Sequence, residues 1–180
     1  TKIPLVSPSV DMAYRTTETR VGGSMSYQQT EKPKGFLYHY TTRDHLEDIL
    51  RDGRIRRMGD KECWFCTSLE DTLELMQETV MMEGKPYYGV GGVLRYYPVF
   101  VPESYVILRL QPRFQNGEWV RWNQELPLDA PTSLQEEAKR FSSLKVGFRG
   151  DLKFQEHPDI IELAPLLERQ QRMGLKLTQS

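Results

Sequence analysis

Cysteine, histidine, long apolar runs and net charge are all scarce in this chain. Its 180 residues include 2 cysteines, Cys63 and Cys66, both in the tetrapeptide CWFC. A disulfide framework needs more, and two cysteines do not by themselves complete a structural zinc site. Adding His39 and His45 matches no common zinc spacing, so no metal is expected. No apolar run approaches the ~18–20 residues that span a bilayer, so no membrane span is expected. No signal-peptide pattern opens the chain. Lys+Arg total 24 and Asp+Glu 25, for a net charge of −1. Overall charge therefore makes no case for nucleic acid or membrane as the main partner. The hydrophobic fraction is 38%, low enough that part of the chain is expected to be unpacked. The sparse cysteines favour a reducing compartment, the cytoplasm of the producing cell or of a target cell. The first residue is Thr1 rather than Met, which leads us to expect a fragment or a processed product.

Residues 1–35 are polar and interrupted by Pro, Gly, Ser and Thr, and read as a flexible arm or linker. The packed domain is expected over residues 36–164, with a C-terminal helix and tail over 165–180. FLYHY (36–40) is aromatic and β-prone. Thr42 is placed to cap a helix over 43–52, with Leu46, Ile49 and Leu50 as its apolar stripe and Gly53 as its stop. ECWFCT is a second strand. Ser68 and Asp71 resemble a capping box before Leu69, Leu73, Met76 and Val80, which recur at helical spacing. Beyond Pro86, YYGVGGVLRYYPVFV reads as strand broken by glycine, confined to an edge or loop by Pro98 and Pro102. SYVILRLQP is the strongest strand. Asn116-Gly117 predicts a hairpin turn from it into EWVRWNQELPL, with Trp119 and Arg121 on one face and Val120 and Trp122 on the other. A short helix over 133–141, a hairpin or strand in VGFRGDLKFQE, and a helix beginning at Pro165 complete an α+β fold of mostly antiparallel strands.

His39 ends an aromatic strand just before a helix, where connecting loops gather and ligand sites form. It reads either as a site residue or as a histidine hydrogen-bonded in the core. Arg51, Arg54, Arg56, Arg57 and Lys61 are placed either to pair with a pyrophosphate or, alternating with Asp52 and Asp60, to form a solvated face. Tyr87 and Tyr88 are candidates to line a pocket under a mobile Gly89–Gly92 loop. The CWFC thiols face different directions if the segment is extended. Small buried hydrophobes are therefore the leading reading, ahead of a redox pair.

The order of these pieces is YHYT strand, helix, GRI, aromatic strand, capped helix and later hairpin. It resembles the ADP-ribosyltransferase superfamily over roughly residues 36–128. The nearest likeness is to its His–Tyr–Glu branch, which holds the diphtheria-toxin-like enzymes and the poly(ADP-ribose) polymerases. LYHYTTRDHLEDILRDGRI is also similar to the opening of the tRNA 2′-phosphotransferases and of small bacterial toxins in that superfamily. The resemblance implies an ADP-ribosyltransferase-like split β-sheet with inserted helices. NAD would be its substrate, ADP-ribose would pass to a protein or nucleic-acid acceptor, and nicotinamide would leave. A toxin or effector domain would fit that activity.

By the same resemblance His39 anchors the adenosine ribose. Trp64 stands at or beside the tyrosine that stacks on nicotinamide, or Phe65 does if the register slips by one. Glu118, opening EWVRW after the turn, matches the catalytic glutamate that stabilises the developing cation. Glu125 is the runner-up and Glu156 a third candidate. Tyr40, Thr41, Thr67, Arg51 and Tyr87 complete the expected dinucleotide contacts. The missing tyrosine leaves room for an inactive module that binds NAD or ADP-ribose. An NAD glycohydrolase and an RNA 2′-phosphotransferase are sister activities on the same fold.

Overall fold

A computed structural model describes residues 24–57, 62–125 and 129–179. The described strands are β1 (Ser24–Thr30), β2 (Leu37–Thr42), β3 (Arg54–Ile55), β4 (Glu62–Phe65), β5 (Pro86–Tyr88), β6 (Leu94–Tyr96), β7 (Tyr105–Leu110), β8 (Trp119–Glu125), β9 (Val146–Arg149), β10 (Leu152–Lys153) and β11 (Asp159–Glu162). The helices are α1 (Arg43–Asp52), α2 (Leu69–Thr79), α3 (Thr132–Ser143) and α4 (Leu163–Gln179). The fold is α+β, and every strand pairing is antiparallel.

Two sheets carry the architecture, in the orders β1-β8-β9-β4 and β11-β7-β2. They meet at a single bridge. Tyr38 N–H donates to the Cys66 carbonyl at 2.8 Å, and Cys66 N–H donates back to Tyr38 at 2.9 Å. Because strand side chains alternate, each face of β2 and β7 serves a different core. Leu37, Val106, Leu108 and Leu110 pack with Phe65, Trp119, Val146 and Phe148 from the first sheet. Tyr38, Tyr40 and Ile107 face the other way, toward Leu73 and Met76 of α2 and Leu163 and Leu166 of α4. β7 is buried on both faces, as its continuous apolar sequence requires.

Helix punctuation follows the sequence closely. Gly53 closes α1 in the left-handed region at φ 65°, with its N–H bonded to the Ile49 carbonyl at 2.9 Å. Ser68 Oγ accepts from Asp71 N–H at 3.0 Å and starts α2. Thr42 occupies the cap position of α1 but makes no capping bond; its Oγ1 lies 3.2 Å from His45 Nδ1. α3 runs two residues past its expected end, and α4 begins at Leu163, two residues before Pro165. A proline fits there because first-turn N–H groups have no intrahelical acceptor.

Two expectations are corrected. Ser24–Thr30 lies within the supposed arm, yet pairs over its whole length with β8 from Ser24 opposite Glu125 to Thr30 opposite Trp119. SMSYQQT lacks an apolar stripe because its partner strand, not the core, holds it. Residues 1–23 lie outside the described residues. The Asn116-Gly117 hairpin does not form, since β7 and β8 belong to different sheets. β7 already has β2 on one side and β11 on the other, so neither edge is open to β8. Gly117 serves close packing instead, because a Cβ there would sit 2.3 Å from the Phe148 ring. The two faces expected for β8 are observed: Trp119 joins the inter-sheet core, while Trp122 lies edge-on to Phe141 of α3.

Candidate functional site

A cavity of about 680 Å³ opens beside β2, and its lining includes Tyr38, His39, Tyr40 and Thr41 together with residues of α1 and β3. His39 pairs with Leu108, which turns its ring toward the inter-sheet face and sets it 5.4 Å from the Phe65 ring. Its Nδ1 lies 2.9 Å from the Trp64 carbonyl oxygen. A carbonyl only accepts, so Nδ1 carries the proton of that bond. Burial pushes the imidazolium below its ordinary value, and the Trp64 hydrogen bond opposes this more weakly. The ring is thus neutral near pH 7, with Nε2 as an acceptor suited to a ligand hydroxyl. On the opposite face of β2, Tyr40 Oη and Thr79 Oγ1 are 3.0 Å apart, which fixes the Tyr40 ring.

Part of the lining is basic. Arg51, Arg54, Arg56 and Arg57 all line the cavity, against the carboxylates of Asp48 and Asp52. Asp52 accepts from Arg56 at 3.0 Å and from Arg51 at 3.3 Å, and these bonds hold its carboxyl below the ordinary range. Asp151 accepts from the Arg57 N–H at 2.9 Å and stands 3.8 Å from Arg54 and 3.9 Å from Arg56. Arg54 Nε is buried without a hydrogen-bond partner. Four guanidiniums against three carboxylates, Asp48, Asp52 and Asp151, leave this group with one positive charge in excess. That is the environment a phosphate selects.

The remaining candidates divide. Tyr40, Thr41 and Arg51 are among the residues that line the cavity. Trp64 also contributes to its wall, but its indole packs over β9, where a Cβ on Gly147 would lie 2.9 Å from the ring. Lys145 Nζ sits 4.9 Å from the same indole. Phe65, not Trp64, puts its ring beside His39. Thr67 and Tyr87 do not line the cavity; Thr67 is exposed at the head of α2, and Tyr87 stacks on Tyr97 at 4.3 Å in the β5–β6 hairpin. The Gly89–Gly92 segment forms the turn of that hairpin, so the expected loop over the cavity is not there. Glu118 does not line the cavity either. Its carboxylate, 55% exposed, lies 3.5 Å from Arg149, which is also 3.6 Å from the buried Glu62. Glu156 is exposed and away from the cavity. Glu125 ends β8, and its side chain, like residues Asp60 and Lys61, lies outside the described part of the structure.

Cys63 and Cys66 behave as core residues. Both thiols are pushed up to about 12, by burial above all. Cys63 Sγ lies 3.2 Å from the carbonyls of Ile55 and Gly150, while Cys66 packs with Leu75 and Leu144 in a separate cluster. A redox pair needs an accessible thiolate, which neither offers. Among the described residues no three His, Cys, Asp or Glu side chains gather to hold a metal. Sequence reading missed His45 and Asp48 as lining residues. Their spacing with Asp52 on one face of α1 was the available signal.

Comparison with protein-family models, with curated proteins and with solved structures returns no match.

Proposed function

We propose that this chain binds NAD in the cavity beside His39 and transfers ADP-ribose to a protein or nucleic-acid acceptor. The observation that carries this reading is the presence, in the lining of one cavity, of a neutral His39 and of four arginines. A dinucleotide presents a ribose diol and a pyrophosphate at separate points. The diol suits the His39 acceptor, and the pyrophosphate suits bidentate guanidiniums such as Arg51 and Arg54. The cavity volume falls within the range of ligand pockets, roughly 300–1,000 Å³.

In the reaction the bond between nicotinamide and its ribose breaks, and nicotinamide leaves with the bonding pair. The acceptor then bonds to the exposed ribose carbon and gives up its proton. The protein's task is to hold the sugar, exclude water and set a carboxylate near the developing positive charge. Glu118 is our candidate for that carboxylate, and Glu125 stands second. Phe65 supplies the aromatic surface near His39 in this reading, because the Trp64 indole is engaged elsewhere.

A second reading has its own observation. Glu118 is paired with Arg149 and absent from the cavity wall, as expected of a module that binds NAD or ADP-ribose without consuming it. Nicotinamide release from NAD separates the two, measured for the intact chain, His39→Ala and Glu118→Gln. Release that disappears in both variants, with NAD still bound by Glu118→Gln, supports the transferase. Undiminished release in Glu118→Gln moves the catalytic role to Glu125. Binding without release in the intact chain establishes the module. Parallel assays without acceptor and with 2′-phosphorylated RNA distinguish hydrolysis and phosphate removal from transfer.

A further inference from the structure

One row of cross-strand neighbours carries charge of a single sign. β3 and β10 pair so that Arg54 stands opposite Lys153, while Ile55 and Leu152 are buried together on the core side. The next segment extends the row. Pro112 bridges Phe154, which sets Arg113 opposite Lys153, and the Arg113 N–H donates to the Lys153 carbonyl at 2.9 Å. Directly opposed residues share a face, so Arg54, Lys153 and Arg113 project together on the outer side, on strands about 4.8 Å apart. Like charges set directly opposite one another are destabilising. Asp151 stands 3.8 Å from Arg54, but among the described residues neither the Lys153 ammonium nor the Arg113 guanidinium has an ion-pair or hydrogen-bond partner. An anion lying along the row would relieve it. Arg54 also lines the His39 cavity, so the row runs outward from that site.

The adjoining loop narrows the anion. Phe114 follows Arg113 and, at 90%, is the most exposed large hydrophobic side chain among the described residues. A lone exposed ring needs no explanation in itself, but this one stands on a pinned loop. Gln115 Nε2 donates to the Lys153 carbonyl at 2.9 Å, and the Lys153 N–H donates to Gln115 Oε1 at 3.0 Å. The fold thus presents a flat aromatic beside a line of cations. Nucleic acid alternates phosphates with π-faced bases, and this arrangement meets both features. An acidic peptide or a lone phosphate would use the cations and leave the ring without a partner. A duplex hides its base faces in the stack, so the ring selects a single strand. The net charge of −1 for the whole chain does not oppose this, because the field along the row is local.

We propose that Arg54, Lys153, Arg113 and Phe114 form a binding surface for single-stranded nucleic acid, with phosphates on the cations and a base on the ring. In the reaction proposed above the strand would be the acceptor of ADP-ribose; that role rests on the NAD reading, whereas binding does not. Fluorescence anisotropy without NAD tests the surface, using labelled single-stranded DNA and RNA of about 12 nucleotides, the matching duplexes and a labelled polyglutamate peptide. The intact chain is expected to bind a single strand more tightly than its duplex or the peptide, and roughly twentyfold more weakly as salt rises from about 50 to about 200 mM. Phe114→Ala should weaken binding about tenfold, with melting temperature and salt dependence unchanged. Lys153→Ala with Arg113→Ala leaves the backbone bonds of the loop in place and should lower the logarithmic salt slope by about 1.4. Absence of single-strand binding overturns the proposal, and so does binding that both variants leave unchanged. A duplex or peptide bound as tightly as the single strand also overturns it, the peptide result making the surface a site for acidic protein. Strand binding by a chain that releases no nicotinamide supports the surface and removes only the acceptor role.

Discussion

His39 is held by three neighbours, whereas Glu118 is held by one. The histidine lies inside a paired strand, donates to the Trp64 carbonyl and stacks beside Phe65. Glu118 precedes the first residue of β8, is more than half exposed and, among the described residues, pairs with Arg149. An imidazole positioned this way cannot move without unpacking the seam between the sheets. A carboxylate at the end of a connecting segment changes place at little cost. In the proposed reading the ribose anchor would thus sit on the fixed part of the fold, and the carboxylate on the more adjustable part. Surface ion pairs of its kind contribute ~0–1 kcal/mol, too little to hold it against a ligand that draws it inward.

The largest expected effect comes from breaking the fixed side. Phe65, 1% exposed, joins the His39 ring to that of Trp119, 6.4 Å away on its other side. Phe65→Ala should cost about 3–5 kcal/mol of stability in urea denaturation and weaken ligand binding at His39 with it. A loss below about 1 kcal/mol would mean the seam repacks and His39 is not rigidly held.

The next effect depends on pH. The unfolded chain takes up a proton on His39 as pH falls through about 6.5, while the folded chain resists because burial disfavours the imidazolium. Stability should therefore be unaffected by this group above 6.5 and fall progressively as pH drops below it toward the depressed folded value. His39→Gln should flatten that part of the profile. Identical acid limbs in both proteins would show that His39 is not desolvated.

The smallest effect belongs to the adjustable side. Glu118→Gln should alter stability by less than about 0.5 kcal/mol, whatever it does to turnover. A larger loss would make Glu118 part of the framework with Glu62 and Arg149, and would weaken its candidacy as a reacting group.

This contrast also explains what was legible in the sequence. β7, α1 and α2 were readable because burial, spacing and end signals agree locally: the run YVILRL, Gly53 after Arg51-Asp52, and Ser68 before Asp71. β1 was not, because SMSYQQT is defined by its pairing with β8, and pairing leaves little trace in composition. Asn116-Gly117 misled because a local turn preference yields when the neighbouring strand already has partners on both edges. At the site, His39 drew notice from an expected strand end, but β2 runs on to Thr42 and pairing with β7 places it mid-strand. The arginines were ambiguous until the fold set Arg51, Arg54, Arg56 and Arg57 around one cavity. The apolar β5–β6 hairpin was read as glycine-broken strand at an edge or loop, without its exposed face, because hydrophobic sequence does not distinguish a buried face from an exposed one.

Calorimetric titration of the intact chain and of His39→Ala with NAD tests the dinucleotide site most directly. The account predicts saturable binding at one site, competed by ADP-ribose, and weakened about tenfold or more by the substitution while the fold persists. No binding by the intact chain, or equal binding by both proteins, would contradict it.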